Sequence, residues 1–89
     1  MKAIVTVMGK DRPGIIAAVC DALGQNRVNI MDISQTVLQE YFAMIMLVNI
    51  SDCPIPFLDL SNLLRETGEK QALYIRIQRE DIFNAMHRI

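Results

Sequence analysis

From Lys2 to Met8 the side chains alternate, with Ala3, Val5 and Val7 on one parity and Ile4, Thr6 and Met8 on the other. The β-branched content of that run predicts a first strand. Gly9 to Gly14 is polar and breaks the period. Ile15, Ile16, Val19, Cys20 and Leu23 then recur at helical spacing with alanines between them, predicting a helix from about Pro13 to Gln25. Asp11 is the expected N-terminal cap, and Pro13 the expected first-turn residue, because its missing N–H would have no partner there. After a turn at Gln25-Asn26-Arg27, Val28 to Leu38 carries Val28 and Ile30 on one parity and Met31, Ile33 and Val37 on the other. This predicts a strand partly covered on both sides. Gln39-Glu40 is a short polar break and Tyr41 to Ile50 is almost wholly apolar, so the two runs form a long antiparallel hairpin.

The loop Ser51 to Pro56 holds two prolines and ends that strand. Phe57, Leu60, Leu63 and Leu64 set the apolar stripe of a second helix, with Gly68 expected as its left-handed C-terminal cap. Ala72 to Gln78 is the last strand, with Leu73, Ile75 and Ile77 inward and Tyr74, Arg76 and Gln78 outward. Glu80-Asp81 opens a short terminal helix in which Ile82, Phe83, Met86 and Ile89 repeat at helical spacing. The order β-α-β-β-α-β, with right-handed crossovers, defines an α+β ferredoxin-like plait: a four-stranded antiparallel sheet with both helices on one face. Its other face is left open, and Ile4, Met8, Met31, Phe42, Met44 and Met46 put apolar side chains on both parities. A second copy of the chain or the terminal helix is expected to cover that face.

Composition sharpens this picture. The 89 residues, 52% hydrophobic and 21% charged, make one domain, and at this length folding hides only roughly 60 to 65% of the chain's surface. The core is thin, so function belongs on a loop, a surface or an interface. A formal net charge of −1 lacks the basic excess that nucleic-acid binding requires. The longest apolar run, Tyr41 to Val48, is far short of the roughly 20 residues that cross a bilayer. The N-terminal run shows no cleavage site for a leader, and the expected location is the cytoplasm. Cys20 and Cys53 stand apart, without Cys-x-x-Cys or Cys/His spacing, so no zinc, redox or other metal site is expected. Cys20 reads as a small buried hydrophobe, and Cys53 as a thiol in a polar loop. His87, the single histidine, has no carboxylate, Ser or Cys placed to form a catalytic set. Lys70, Arg76 and Arg79 read as solvated or paired surface charges.

The most informative stretch is Gly9-Lys10-Asp11-Arg12-Pro13-Gly14-Ile15, between the first strand and the first helix. Unpaired N–H groups at a helix start attract a carboxylate or phosphate, glycines allow close approach, and Asp11 could hold an ammonium group. These are the two charges of an amino acid's main chain. The same residues also suit a purely structural role, Asp11 capping and the glycines shaping the turn, and spacing alone does not separate the two.

The motif Gly-Lys-Asp-Arg-Pro-Gly-Ile after a first strand, followed one helix later by Val28-Asn29-Ile30, resembles the ACT domain, a small regulatory module that commonly binds amino acids. The resemblance covers the whole chain. Asp32 to Val37 and the ending Ile82-Phe83-Asn84-Ala85-Met86 look like the short, free-standing ACT proteins of bacteria and archaea, and the chain is also similar to the ACT repeats of the glycine-cleavage repressor. The resemblance implies a non-enzymatic homodimer without a cofactor, its ligand an amino acid or related carboxylate between the first loop and a strand of a neighbouring domain. Gly9, Lys10, Asp11, Arg12, Pro13, Gly14 and Ile15 would form the loop side, with Asn29 and Ile30 on the strand side. Arg27 stands where the family usually has Gly, so either Asn26 is left-handed or the turn differs. Asn29 could equally close a turn.

The same plait carries other functions. An acylphosphatase-like hydrolase needs a phosphate cradle with a neighbouring Arg and a water-positioning Asn, and the first loop lacks that arrangement. A metallochaperone needs Cys-x-x-Cys in the same loop. An RNA-recognition domain needs paired aromatics on its central strands, whereas the chain has 2 Tyr, 3 Phe and no Trp. A protein-interaction module with a vestigial pocket remains the main alternative.

Overall fold

A computed structural model describes residues 1–81; the expected terminal helix from Ile82 onward, and His87, lie outside them. The elements are β1 (Lys2–Lys10), α1 (Ile15–Gln25), β2 (Asn29–Leu38), β3 (Tyr41–Asn49), α2 (Phe57–Gln71) and β4 (Tyr74–Arg79). The strands form one sheet in the order β2-β3-β1-β4, every neighbouring pair antiparallel. This is the expected ferredoxin-like plait.

Each helix buries a single row spaced four residues apart: Ile15, Val19 and Leu23 on α1, and Leu60, Leu64 and Gly68 on α2. Side chains four apart stack on one helical face, and here that face meets the sheet. The sheet answers with Ala3, Val5 and Val7 of β1, Phe42, Met44, Met46 and Val48 of β3, and Ile75 and Ile77 of β4, all buried. Phe42, Met44 and Met46 were expected to enlarge the open face. They lie under the helices instead, because the register sets Val7 opposite Met44 and Val5 opposite Met46, which fixes their parity. The open face carries Met8, Tyr41, Ile45 and Tyr74, all exposed.

Strand β2 departs further from expectation. Only Ile30 is even half-buried; residues 31–38 are exposed on both faces. β2 is an edge strand, and within one chain neither helix covers it. Between Ile30 and Asp32 the register slips by one residue, a β-bulge at Met31.

Both helices end in the same way, without glycine at the critical position. Arg27 has φ 57°, its N–H donates to the Gly24 carbonyl at 3.1 Å, and Val28 N–H donates to Leu23 at 3.0 Å. Ala72 repeats the pattern, with φ 57°, Ala72 N–H to Glu69 at 3.3 Å and Leu73 N–H to Gly68 at 2.7 Å. These paired bonds are the Schellman termination, which needs a left-handed residue. Arg27 itself therefore takes that conformation, not Asn26, whose φ is −102°. Gly68 is not the cap. It lies inside α2, where an added Cβ would sit 2.6 Å from the Leu73 carbonyl oxygen and 3.1 Å from Ile75 Cγ1. Glycine is needed there for the close approach of helix to strand. Cys53, expected in a polar loop, is half-buried against the core, and Cys20 on α1, expected to be buried, is half-buried. No described helix is long and apolar enough to cross a membrane.

Candidate functional site

The loop between β1 and α1 is shorter than its sequence implies. β1 continues through Gly9 and Lys10, which pair with Phe42 and Tyr41, so these two residues belong to the sheet. Gly9 is not a turn glycine. A Cβ there would meet Leu73 Cδ2 at 2.6 Å, so its small size admits the core. Asp11 continues the contact with the neighbouring hairpin, its N–H donating to the Glu40 carbonyl at 2.7 Å. Arg12 donates from Nη2 to the Gln71 carbonyl and lies 3.5 Å from Gln71 Oε1, tying the loop to the end of α2. The loop is thus held on one side by the β2–β3 turn and on the other by α2.

Helix α1 starts later than Pro13, and its cap is Gly14, not Asp11. Gly14 has φ 87° and ψ −2°, a left-handed conformation that costs an L side chain energy and excludes Pro13 from the helix. No side chain caps the helix, and no acidic residue stands in its first turn. The first intrahelical bond runs from Ala18 N–H to the Gly14 carbonyl at 3.0 Å, so the N–H groups of residues 14–17 have no intrahelical acceptor. Their donors and the positive end of the helix dipole face an exposed loop without a neutralising carboxylate on the helix, an arrangement suited to an anion. Ile15 contributes only its backbone, since its side chain is buried.

Asn29 and Ile30 lie elsewhere. Asn29 pairs with Asn49, which pairs with Lys2, whereas Gly9 pairs with Phe42. Phe42 and Asn49 are seven residues apart on β3, about 24 Å at strand rise. Within one chain the two halves of the expected site are at opposite ends of the sheet. Asn29 is exposed, and Ile30 is half-buried opposite Val48 on the helix-facing side.

A feature that sequence reasoning missed adjoins the loop. Met8, Gly9, Thr36, Leu38, Tyr41, Phe42 and Ala43 line an apolar depression of about 330 Å³ at the same end of the sheet, the lower end of the range for small-ligand pockets. Strand pairing gathers these residues, and only the fold sets it: Met8, Ala43 and Thr36 share a row, as do Lys10, Tyr41 and Leu38. The hydrolase reading finds no support, because Arg12 is bound to Gln71 and does not complete a phosphate cradle.

Comparison with known proteins agrees with this architecture. Residues 2–78 match the model of the ACT domain. The chain is 51% identical to the UPF0237 protein of Clostridium acetobutylicum across the full length of both. Among solved structures it is similar to an ACT domain protein from Streptococcus pneumoniae, with TM-score 0.83 and 46% identity over 98% of each chain. It also resembles a putative glycine cleavage system transcriptional repressor, with TM-score 0.74 and 25% identity over 88% of this chain and 44% of that one. With a matching family model over most of its length and a full-length relative at 51% identity, the chain belongs to the ACT domain family.

Proposed function

We propose that the protein is a non-catalytic regulatory module that binds an amino acid or related small carboxylate as a homodimer and passes the bound state to another protein. The observation that carries this reading is the separation of the two half-sites by an exposed edge strand. β2 runs from Asn29 to the hairpin that touches Asp11, and its outer edge has no partner strand among the described residues. Antiparallel pairing of β2 with β2 of a second copy would set Asn29 of that copy beside the loop of the first. The exposed Ile33, Val37 and Leu38 would be covered in the same step, as an unprotected apolar edge requires. The ligand carboxylate would meet the free N–H groups of α1, Asp11 its ammonium, and Asn29 of the second copy a remaining polar atom.

Sedimentation of the full chain, followed by thermal-shift and calorimetric screening against the amino acids, tests the proposal. A dimer at micromolar concentration, stabilised by at least one amino acid and insensitive to it after Asp11→Ala, is the expected result. A 10 kDa monomer would overturn the dimer. A dimer that no amino acid stabilises would favour the second reading, a protein-interaction module, which the apolar β2 edge also supports.

A further inference from the structure

Strand β4 is the other edge of the sheet, and a cavity of different chemistry lies against it. About 320 Å³ of space opens beside Thr6 of β1, Ser61 and Arg65 of α2, and Tyr74, Arg76 and Ile77 of β4. Arg76 lies over the Tyr74 ring with Cζ 4.2 Å from the centroid, and its Nη1 donates to the Ile75 carbonyl at 2.8 Å. Stacking and this bond hold the guanidinium plane while leaving most of its five N–H donors uncommitted. Thr6 stands directly across from Arg76 in the β1–β4 register, and Ser61 lies one turn before Arg65 on the same face of α2.

The backbone adds a donor. Its bond from Arg76 marks the Ile75 carbonyl as facing the free edge, and the two-residue alternation of an antiparallel ladder turns the Ile77 N–H the same way. This accounts for Ile77 lining the cavity although its side chain is buried. No described acidic residue lines the space, and neither Arg65 nor Arg76 forms an ion pair among the described residues. The formal net charge of the chain is −1, so two guanidiniums lining one cavity, neither ion-paired among the described residues, are a local feature and not part of a generally basic surface.

We propose that this cavity binds a compact oxyanion, the phosphoryl or carboxylate group of a small metabolite. Arg65 and Arg76 donate to it in charge-assisted bonds at the β4 edge, with the Ser61 hydroxyl and the Ile77 N–H as further donors. The site lies on the edge opposite β2, so pairing of two copies through β2 leaves it open, and its occupancy is independent of any amino acid at the first loop.

The test is a titration of the full-length, isotope-labelled protein with sodium phosphate, sodium acetate and sodium chloride at matched ionic strength, followed by amide and guanidinium nuclear resonances without added amino acid. Saturable shifts at Ser61, Ile77 and the Arg65 Nε–H with phosphate or acetate, but not with chloride, are expected. Whichever oxyanion saturates the site identifies the ligand group as phosphoryl or carboxylate. Arg65→Gln, at an exposed helix position that the fold tolerates, is expected to weaken the binding about tenfold. Equal, non-saturating shifts with all three salts, or unchanged affinity in Arg65→Gln, would overturn the proposal.

Discussion

Gly68→Ala isolates the contact that joins α2 to β4. By helix propensity alone the change should stabilise the protein by about 1 kcal/mol, since glycine is the poorest non-proline residue in a helix interior. Packing opposes this. The new Cβ would lie 2.6 Å from the Leu73 carbonyl oxygen and 3.1 Å from Ile75 Cγ1, and the first of these is backbone that cannot rotate away. Relief requires the last turn of α2 to lift from the strand, which strains the bonds from Leu73 N–H to Gly68 and from Ala72 N–H to Glu69. Overpacking of this kind costs about 1–3 kcal/mol, and weakening two hydrogen bonds adds about 1 kcal/mol. Set against the propensity gain, a net loss of about 2 kcal/mol is expected, a fall in Tm of roughly 10 °C for a domain of this size. Gly24→Ala is the matched control, a helical glycine whose added Cβ would meet nothing within 4 Å beyond its chain neighbours and its own helix backbone, and should gain about 0.5–1 kcal/mol. Urea denaturation followed by far-ultraviolet circular dichroism measures both, at one protein concentration because association shifts apparent stability. If Gly68→Ala were as stable as the parent, the close approach of helix to strand would not be what demands glycine.

Arg27→Gly removes a left-handed L residue, and should raise stability by about 0.5 kcal/mol after the entropy of the more flexible unfolded chain offsets part of the relief; Arg27→Val should lower it by about 1 kcal/mol in the same denaturation assay. Leu64→Ala opens a cavity where α2 meets the sheet and is expected to cost about 2–5 kcal/mol by thermal melting. Ile33→Lys and Val37→Lys lie on the exposed β2 edge, so sedimentation should show loss of the dimer while the dichroism spectrum stays unchanged; a dimer that survives both changes would place the interface elsewhere. An amino acid present at a hundredfold excess over its Kd should add about 2.7 kcal/mol to dimer stability, and Asn29→Ala should weaken its binding about tenfold by calorimetry, consistent with one lost hydrogen bond.

How far the site could be read in advance differs residue by residue. The stretch Gly9 to Gly14 stood out because its polar residues break a strand period just before a helix period and its glycines permit backbone conformations closed to other residues, and the structure does put a bare helix N-terminus there. Which residue caps the helix was not readable. Asp11 has the right chemistry, but its N–H is drawn to Glu40, a residue 29 positions away that only the folded hairpin brings near. Arg12 likewise meets Gln71 through the docking of α2. Arg76 shows the same limit. On the outward parity of an alternating strand it reads as a solvated or paired surface charge, and only the folded sheet shows that it stacks on Tyr74 and lines a cavity with residues of α2.

The sequence by itself determined the element order, the plait and most of the residues that the helices bury, Ile15, Val19, Leu23, Leu60 and Leu64, because periods of two and 3.6 are local and a right-handed crossover leaves one arrangement of them; that Ile16, of the same expected stripe, is exposed depends on which face of α1 meets the sheet. It also located the junction where a ligand could meet backbone donors. The tertiary structure decided which parity of β3 faces the helices, because register couples each residue to partners distant in the chain, and a shift of one residue would reverse the assignment. It decided that Gly68 serves contact and not turning, and that Arg27 and Ala72 carry the left-handed terminations, because those roles depend on the surfaces that α1 and α2 meet. It also separated Asn29 from the first loop by the length of β3. That distance follows from strand pairing, which local sequence does not encode, and it places the two expected halves of the proposed site at opposite ends of one sheet.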